Sequence, residues 1–142
     1  RAAHDLGQLV GLRPNDPGMA IELLSGGNQQ KVVVGRWLNL PSKVYIFEDP
    51  TAGVDVGAKA EIYRLFDVAL QEGAAIIIIS TDFEEVAKVC HRALIFDRGR
   101  VVAELGAGDL SVENLLATAS ARVGRMTKAA DTPTSVGAHA IT

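Results

Sequence analysis

Two rhythms of apolar and polar positions run along this chain. From Ser25, apolar residues at Val33, Val34, Trp37 and Leu38 predict a helix with one buried face, broken at Pro41-Ser42. Lys43 to Glu48 is aromatic and β-branched and is stopped by Pro50, the pattern of a strand. A second helix is predicted from Val56 to Glu72, with Ile62, Leu65, Phe66, Ala69 and Leu70 on its inner face and Gly73 as its stop. Ala74 to Ser80 then reads as a buried strand and Phe83 to Cys90 as a helix. Ala93–Asp97 and Arg100–Leu105 flank Arg98-Gly99, a tight hairpin turn, and a last helix covers Leu110 to Ala119. Arg1 to Leu12 suits a short helix and Arg13 to Gly18 a loop.

Strands alternating with helices predict an α/β fold with a largely parallel sheet flanked by helices, ending in a β-hairpin and a helix. One domain is expected over residues 1–122. Residues 123–142 are rich in Ala, Thr, Ser and Gly without periodicity and are expected to be a disordered tail. Ligands of such sheets bind at the carboxyl ends of strands, which draws attention to Glu48, Asp49, Ser80 and Thr81.

Composition narrows the function. A chain of 142 residues, 48% hydrophobic and 22% charged, suffices for one core. A net charge of −3 gives no reason to expect a nucleic-acid surface or an anionic membrane. The single cysteine, Cys90, excludes an internal disulfide, and a reduced cytosolic setting is expected. The apolar run Ala74–Ile79 is far shorter than the roughly 20 residues of a spanning helix. There is no signal-peptide pattern, and Arg1 is not an initiator methionine, so the chain is expected to begin inside a longer protein.

Two stretches carry chemistry. Leu24-Ser25-Gly26-Gly27-Asn28-Gln29-Gln30-Lys31 opens a helix. Ser25 suits the N-cap, and two glycines let a phosphate approach backbone amides at the positive end of the helix dipole. Read alone, Ser-Gly-Gly is better taken as the Gly-rich entrance of a capped surface helix, because short motifs recur by chance. Val44-Tyr45-Ile46-Phe47-Glu48-Asp49-Pro50 ends a strand in adjacent carboxylates on opposite faces. One carboxylate can reach a hydrated magnesium ion while the other orients a water molecule; a solvated acidic turn is the plain alternative.

Together and in this order, the motifs resemble the C-terminal part of the cassette of ABC transporter ATPases, a P-loop NTPase. Leu24–Lys31 is similar to the signature motif, Val44–Asp49 to the Walker B strand, and Pro50-Thr51-Ala52-Gly53-Val54-Asp55 to the D-loop. Asn28-Gln29-Gln30-Lys31 and Gly53-Val54-Asp55-Val56-Gly57-Ala58-Lys59 resemble the monosaccharide-importer group for ribose, xylose or galactose. The resemblance covers Leu6 to Ala119. It implies ATP and Mg2+ as cofactors, with ATP held between two cassettes facing head to tail. Ser25, Gly26 and Gly27 would contact the γ-phosphate held by the partner cassette, Asp55 would bridge the cassettes, Glu48 would serve the metal through water, and Asp49 the attacking water. Asp55 also suits an N-cap for the helix from Val56. Gln29 and Lys31 are expected on the exposed face of the signature helix, without a catalytic role. The implied setting is the cytoplasmic face of a bacterial inner membrane. Implied partners are a second cassette, transmembrane permease subunits and, indirectly, a periplasmic sugar-binding protein, with no nucleic acid. A nucleoside importer and a catalytically degenerate regulatory cassette are the alternatives; a DNA-repair or cohesin-type ATPase would need coiled-coil heptads absent here.

Three departures from the family pattern matter. No Gly-x-x-x-x-Gly-Lys-Ser/Thr (Walker A) occurs, so this chain alone is expected to bind ATP weakly and not to hydrolyse it, with the missing half upstream of Arg1. Missing strands would also leave an unpaired sheet edge and poor solubility. The usual Asp-Glu order is reversed to Glu48-Asp49, which predicts slow turnover with nucleotide binding spared. Thr81 stands where many members carry a histidine; it cannot carry positive charge to the γ-phosphate, and Thr81-x-x-Glu84 has the form of a capping box. His91, at a helix end before a strand, is expected to have a partly exposed structural role; His4 and His139 have no second ligand at metal spacing, and Cys90 is expected to be a small core residue.

Overall fold

The computed structural model describes residues 2–126 and 137–141. In chain order the elements are α1 (Ala2–Leu9), a 3-10 turn (Ile21–Leu23), α2 (Gly26–Leu38), β1 (Val44–Glu48), α3 (Val56–Gln71) and β2 (Ala75–Ser80). They continue as α4 (Phe83–Val89), β3 (Arg92–Asp97), β4 (Arg100–Gly106), α5 (Val112–Met126) and β5 (Gly137–Ile141). The chain divides into two units, one of residues 1–45 and 50–75, the other of residues 46–49 and 76–142.

The first unit is helical. α3 buries Ile62, Leu65, Phe66 and Ala69 as predicted from sequence, together with Ala58, while Leu70 is only half-buried. Each fully buried large aliphatic chain there contributes about 1.5–3 kcal/mol. The helix stops as Gly73 predicts: Gly73 adopts φ 87°, its N–H reaches Leu70 O at 3.0 Å, and Ala74 N–H reaches Ala69 O at 3.0 Å, a Schellman cap.

The inner face of α2 differs from the predicted one. Val34 is buried, but Val33 and Trp37 are 46% and 52% exposed, and Gly27, Lys31 and Gly35 take the inner positions instead. Gly35 is the physical reason: a side chain there would strike Val10 and crowd Leu6, so its absence lets the neighbouring α1 segment approach.

The second unit carries the sheet, in the order β1-β2-β5-β3-β4. β2 buries Ile76, Ile78 and Ser80 in strict alternation. The β3–β4 hairpin turns at Arg98 and Gly99, with φ of 48° and 75°, the mirror-image turn that suits the strand twist. Val86, Ala93, Ile95 and Leu115 form the core between hairpin and helices, with Phe83, Cys90 and Leu110 packed against them.

The expected largely parallel sheet is corrected to a mixed one. β5 lies between β2 and β3 and runs antiparallel to both, pairing Ile78 with Ala140 on one side and Leu94 with His139 on the other. Part of the tail expected to be disordered therefore forms a strand, and the α5 backbone runs to Met126; residues 127–136 and 142 lie outside the described residues. Gly-Ala-His-Ala-Ile has little strand propensity of its own, and two flanking strands with open backbone groups supply its order instead. Among the described residues, no helix is long and apolar enough to cross a membrane.

Candidate functional site

The sequence-derived site residues fall into two groups, one in each unit. Ser25, Gly26, Gly27 and Asp55 belong to the first. Ser25 holds the N-cap position of α2 with extended φ −60° and ψ 153°, but its hydroxyl makes no capping hydrogen bond, contrary to expectation. Ser25 and Gly26 are exposed, whereas Gly27 is buried against α3. A Cβ on Gly27 would lie 2.7 Å from the Ala58 Cβ and 3.5 Å from Asp55 Oδ2, so only glycine allows this approach. Asp55 caps α3 as predicted, its Oδ1 accepting from Ala58 N–H at 3.0 Å. The start of the signature helix and the end of the D-loop are therefore in contact within one unit.

The four residues after the glycines contribute more than the sequence suggested. Asn28 Nδ2 donates to Arg13 O at 2.6 Å, Gln29 Nε2 to Leu24 O at 2.8 Å, and Gln30 Nε2 to Pro50 O at 2.7 Å. Lys31 Nζ donates to Gly11 O at 2.8 Å and pairs with Glu61 Oε2 at 2.7 Å. The expectation that Lys31 and Gln29 lie on the exposed face is thus corrected: Lys31 is 4% exposed and Gln29 is half-buried. A long ammonium side chain can be buried where a carbonyl and a carboxylate meet it, a geometry that no period-3.6 pattern reports.

Glu48, Asp49 and Thr81 belong to the second unit. Glu48 ends β1 and Asp49 follows with φ 42°, so the alternation that would set them on opposite faces stops at Glu48, and both are exposed. Asp49 N–H donates to Ile79 O at 2.8 Å, which holds the acidic turn beside the end of β2. Thr81 is exposed and does not cap α4. Asp82 does, its Oδ1 accepting from Glu84 N–H and Glu85 N–H at 3.1 Å each. The capping box was legible one residue later, as Asp82-x-x-Glu85. Sequence reasoning also missed the buried pair behind this turn. Ser80 Oγ donates to Glu85 Oε2 at 2.8 Å and accepts from Asp82 N–H at 3.1 Å, so the serine bridges the two ends of the box. Cys90 lies nearby: burial first, and the Glu85 carboxylate second, push its thiol up from 9.0 to about 12.

Among the described residues, no cluster of three or more His, Cys, Asp or Glu side chains could hold a metal ion. Glu48 is exposed, and its carboxylate is open to a hydrated cation, since Mg2+ takes most of its ligands from water and phosphate. The buried Gly27 and the extended Ser25 at the head of α2 suit a phosphate approached from outside.

No family model matches the chain. Curated relatives do. It is 46% identical over 118 residues to the ribose import ATP-binding protein RbsA 1 of Streptomyces avermitilis, covering 83% of this chain and 22% of that one. It is 48% identical over 101 residues to the ribose import ATP-binding protein RbsA of Chelativorans sp., covering 71% and 20%. A protein of Agrobacterium fabrum assigned to ribose/galactose/methyl galactoside import is 46% identical over 107 residues, covering 75% and 21%. Over most of its length the chain is similar to ATP-binding proteins of ribose- and galactose-type ABC importers. It spans about a fifth of the length of these relatives. Its fold matches the ADP conformation of MJ1267, an ATP-binding cassette of an ABC transporter, with a TM-score of 0.67 at 22% identity, over 90% of this chain and 49% of that one. The architecture accordingly resembles part of such a cassette.

Proposed function

We propose that this chain is part of the ATP-binding subunit of an importer that couples ATP binding and hydrolysis to uptake of a monosaccharide. The observation that carries the reading is the Ser25-Gly26-Gly27 head of α2 packed on the Asp55 cap of α3, in a chain 46% identical to a ribose importer's ATP-binding protein. Ser25 and Gly26 stand free to meet the terminal phosphate of nucleotide held by a second cassette, and Gly27 brings their helix close to Asp55, which faces that cassette. Glu48 would hold the Mg2+ side through water, and Asp49 would take the proton of the attacking water. Mg2+ supplies neutralisation of phosphate charge when bound. Thr81 brings a hydroxyl but no cation to the phosphate side. Permease subunits, a periplasmic sugar-binding protein and a place at the cytoplasmic face of the membrane belong to this reading.

The Glu48-Asp49 order sets the metal-side carboxylate one methylene longer and the base one shorter. Misplacing a catalytic group by about 1 Å costs up to about a hundredfold in rate. Turnover is therefore slow and binding retained. The same feature, with Thr81, favours a second reading, a regulatory cassette that dimerises without hydrolysis. A chimera in which this chain replaces the matched 118 residues of the Streptomyces avermitilis relative separates the two. Under the first reading, Glu48→Asp combined with Asp49→Glu speeds ATP hydrolysis at least several-fold. An unchanged rate in a chimera that binds ATP sinks it.

A further inference from the structure

The loop from Pro50 to Asp55 is bonded to α2 at its start and lies beside α2 at its end. At its start, Gln30 Nε2 donates to Pro50 O at 2.7 Å. At its end, Asp55 caps α3 and its Oδ2 faces the open side of Gly27. Between them Thr51 is 1% exposed, so the loop is anchored inward as well. Gln30 is half-buried and stands one turn after Gly27 on α2, so one face of the helix bonds the start of the loop and lies against its end.

We propose that Gln30 is a positioning residue, resting on the reading above. Through the Pro50 carbonyl it fixes the Pro50–Asp55 loop to the signature helix, so that Ser25–Gly27 and Asp55 move as one body toward a second cassette. Neutral amide chemistry suits the task, because it binds a carbonyl without placing charge beside a phosphate site. Asn28, Gln29 and Lys31 hold the rest of the helix to other carbonyls and give Gln30 a fixed base.

The test has two arms. In the 142-residue chain, Gln30→Met removes the donor while keeping the side chain's length. Hydrogen exchange at the amides of residues 51–55 is expected to quicken by about tenfold, with exchange in α3 unchanged. Gln30→Lys, which keeps a donor, is expected to restore most of the protection. Should methionine unfold the chain, Gln30→Glu keeps the shape without the donor and gives the same comparison. In the chimera, Gln30→Met is expected to lower kcat by about tenfold or more with little change in KM for ATP, and Gln30→Lys to recover the rate. Unchanged loop exchange in either donorless variant overturns the proposal. An active chimera in which Gln30→Met turns over at the parent rate also overturns it. A parent chimera that neither binds nor hydrolyses ATP refutes the functional reading instead and leaves the exchange arm to decide the positioning role.

Discussion

At the residue scale, single side chains set what the site can do. Gly27 has no room for a methyl group, so Gly27→Ala is expected to cost about 1–3 kcal/mol by overpacking against Ala58. Ala58→Gly should return part of that loss, although glycine inside α3 itself costs roughly 1 kcal/mol. Urea denaturation of the two single variants and the double variant measures the coupling; strictly additive losses would show that the two positions do not touch. Cys90 gives a pH signature. Its thiol is raised to about 12 in the folded chain, above the ordinary 9.0, so the unfolded chain loses that proton first. The stabilising contribution is complete below pH 9 and is lost as pH rises toward 12. The denaturation midpoint should therefore fall between pH 8 and 10.5, and fall less in Cys90→Ala. Because burial is the larger cause, Glu85→Gln should speed alkylation of Cys90 only partly. The Asp55 cap and the Gly73 stop of α3 were legible because their chemistry is local. Burial of Lys31 was not, since it depends on Gly11 and Glu61, distant in sequence.

At the element scale, regular patterns were read well and junctions less well. α3 and β2 follow their periods of 3.6 and 2 closely, because each buries one face or alternate residues against a core. α2 misled because its inner face is built from Gly27, Lys31 and Gly35, which carry no apolar signal. The cap of α4 was misplaced by one residue, since Thr81 and Asp82 are both good caps and only the turn geometry around Ser80 chooses between them. That choice has a consequence. Asp82→Ala should lower stability by about 0.5–2 kcal/mol, whereas Thr81→Ala should stay within about 0.5 kcal/mol. Equal losses in thermal unfolding would return the cap to Thr81.

At the scale of the whole molecule, the sheet was the least legible feature. Its pairings join residues far apart, and β5 comes from a segment whose composition reads as tail. Ala140→Pro removes a backbone donor from the middle of β5 and should quicken amide exchange in β2 and β3 alike. Protection unchanged in both strands would show that β5 does not hold them together. The order of α2, β1, the Pro50–Asp55 loop and α3, by contrast, was readable from the chain alone, because each is marked by its own local pattern. The proposed role of the head of α2 is to meet nucleotide bound by another cassette. Ser25→Arg in the chimera with the Streptomyces avermitilis relative tests it most directly, by ATP hydrolysis at saturating nucleotide. Hydrolysis is expected to fall at least tenfold with ATP still bound, since the arginine blocks the phosphate's approach. Hydrolysis at the parent rate would contradict it.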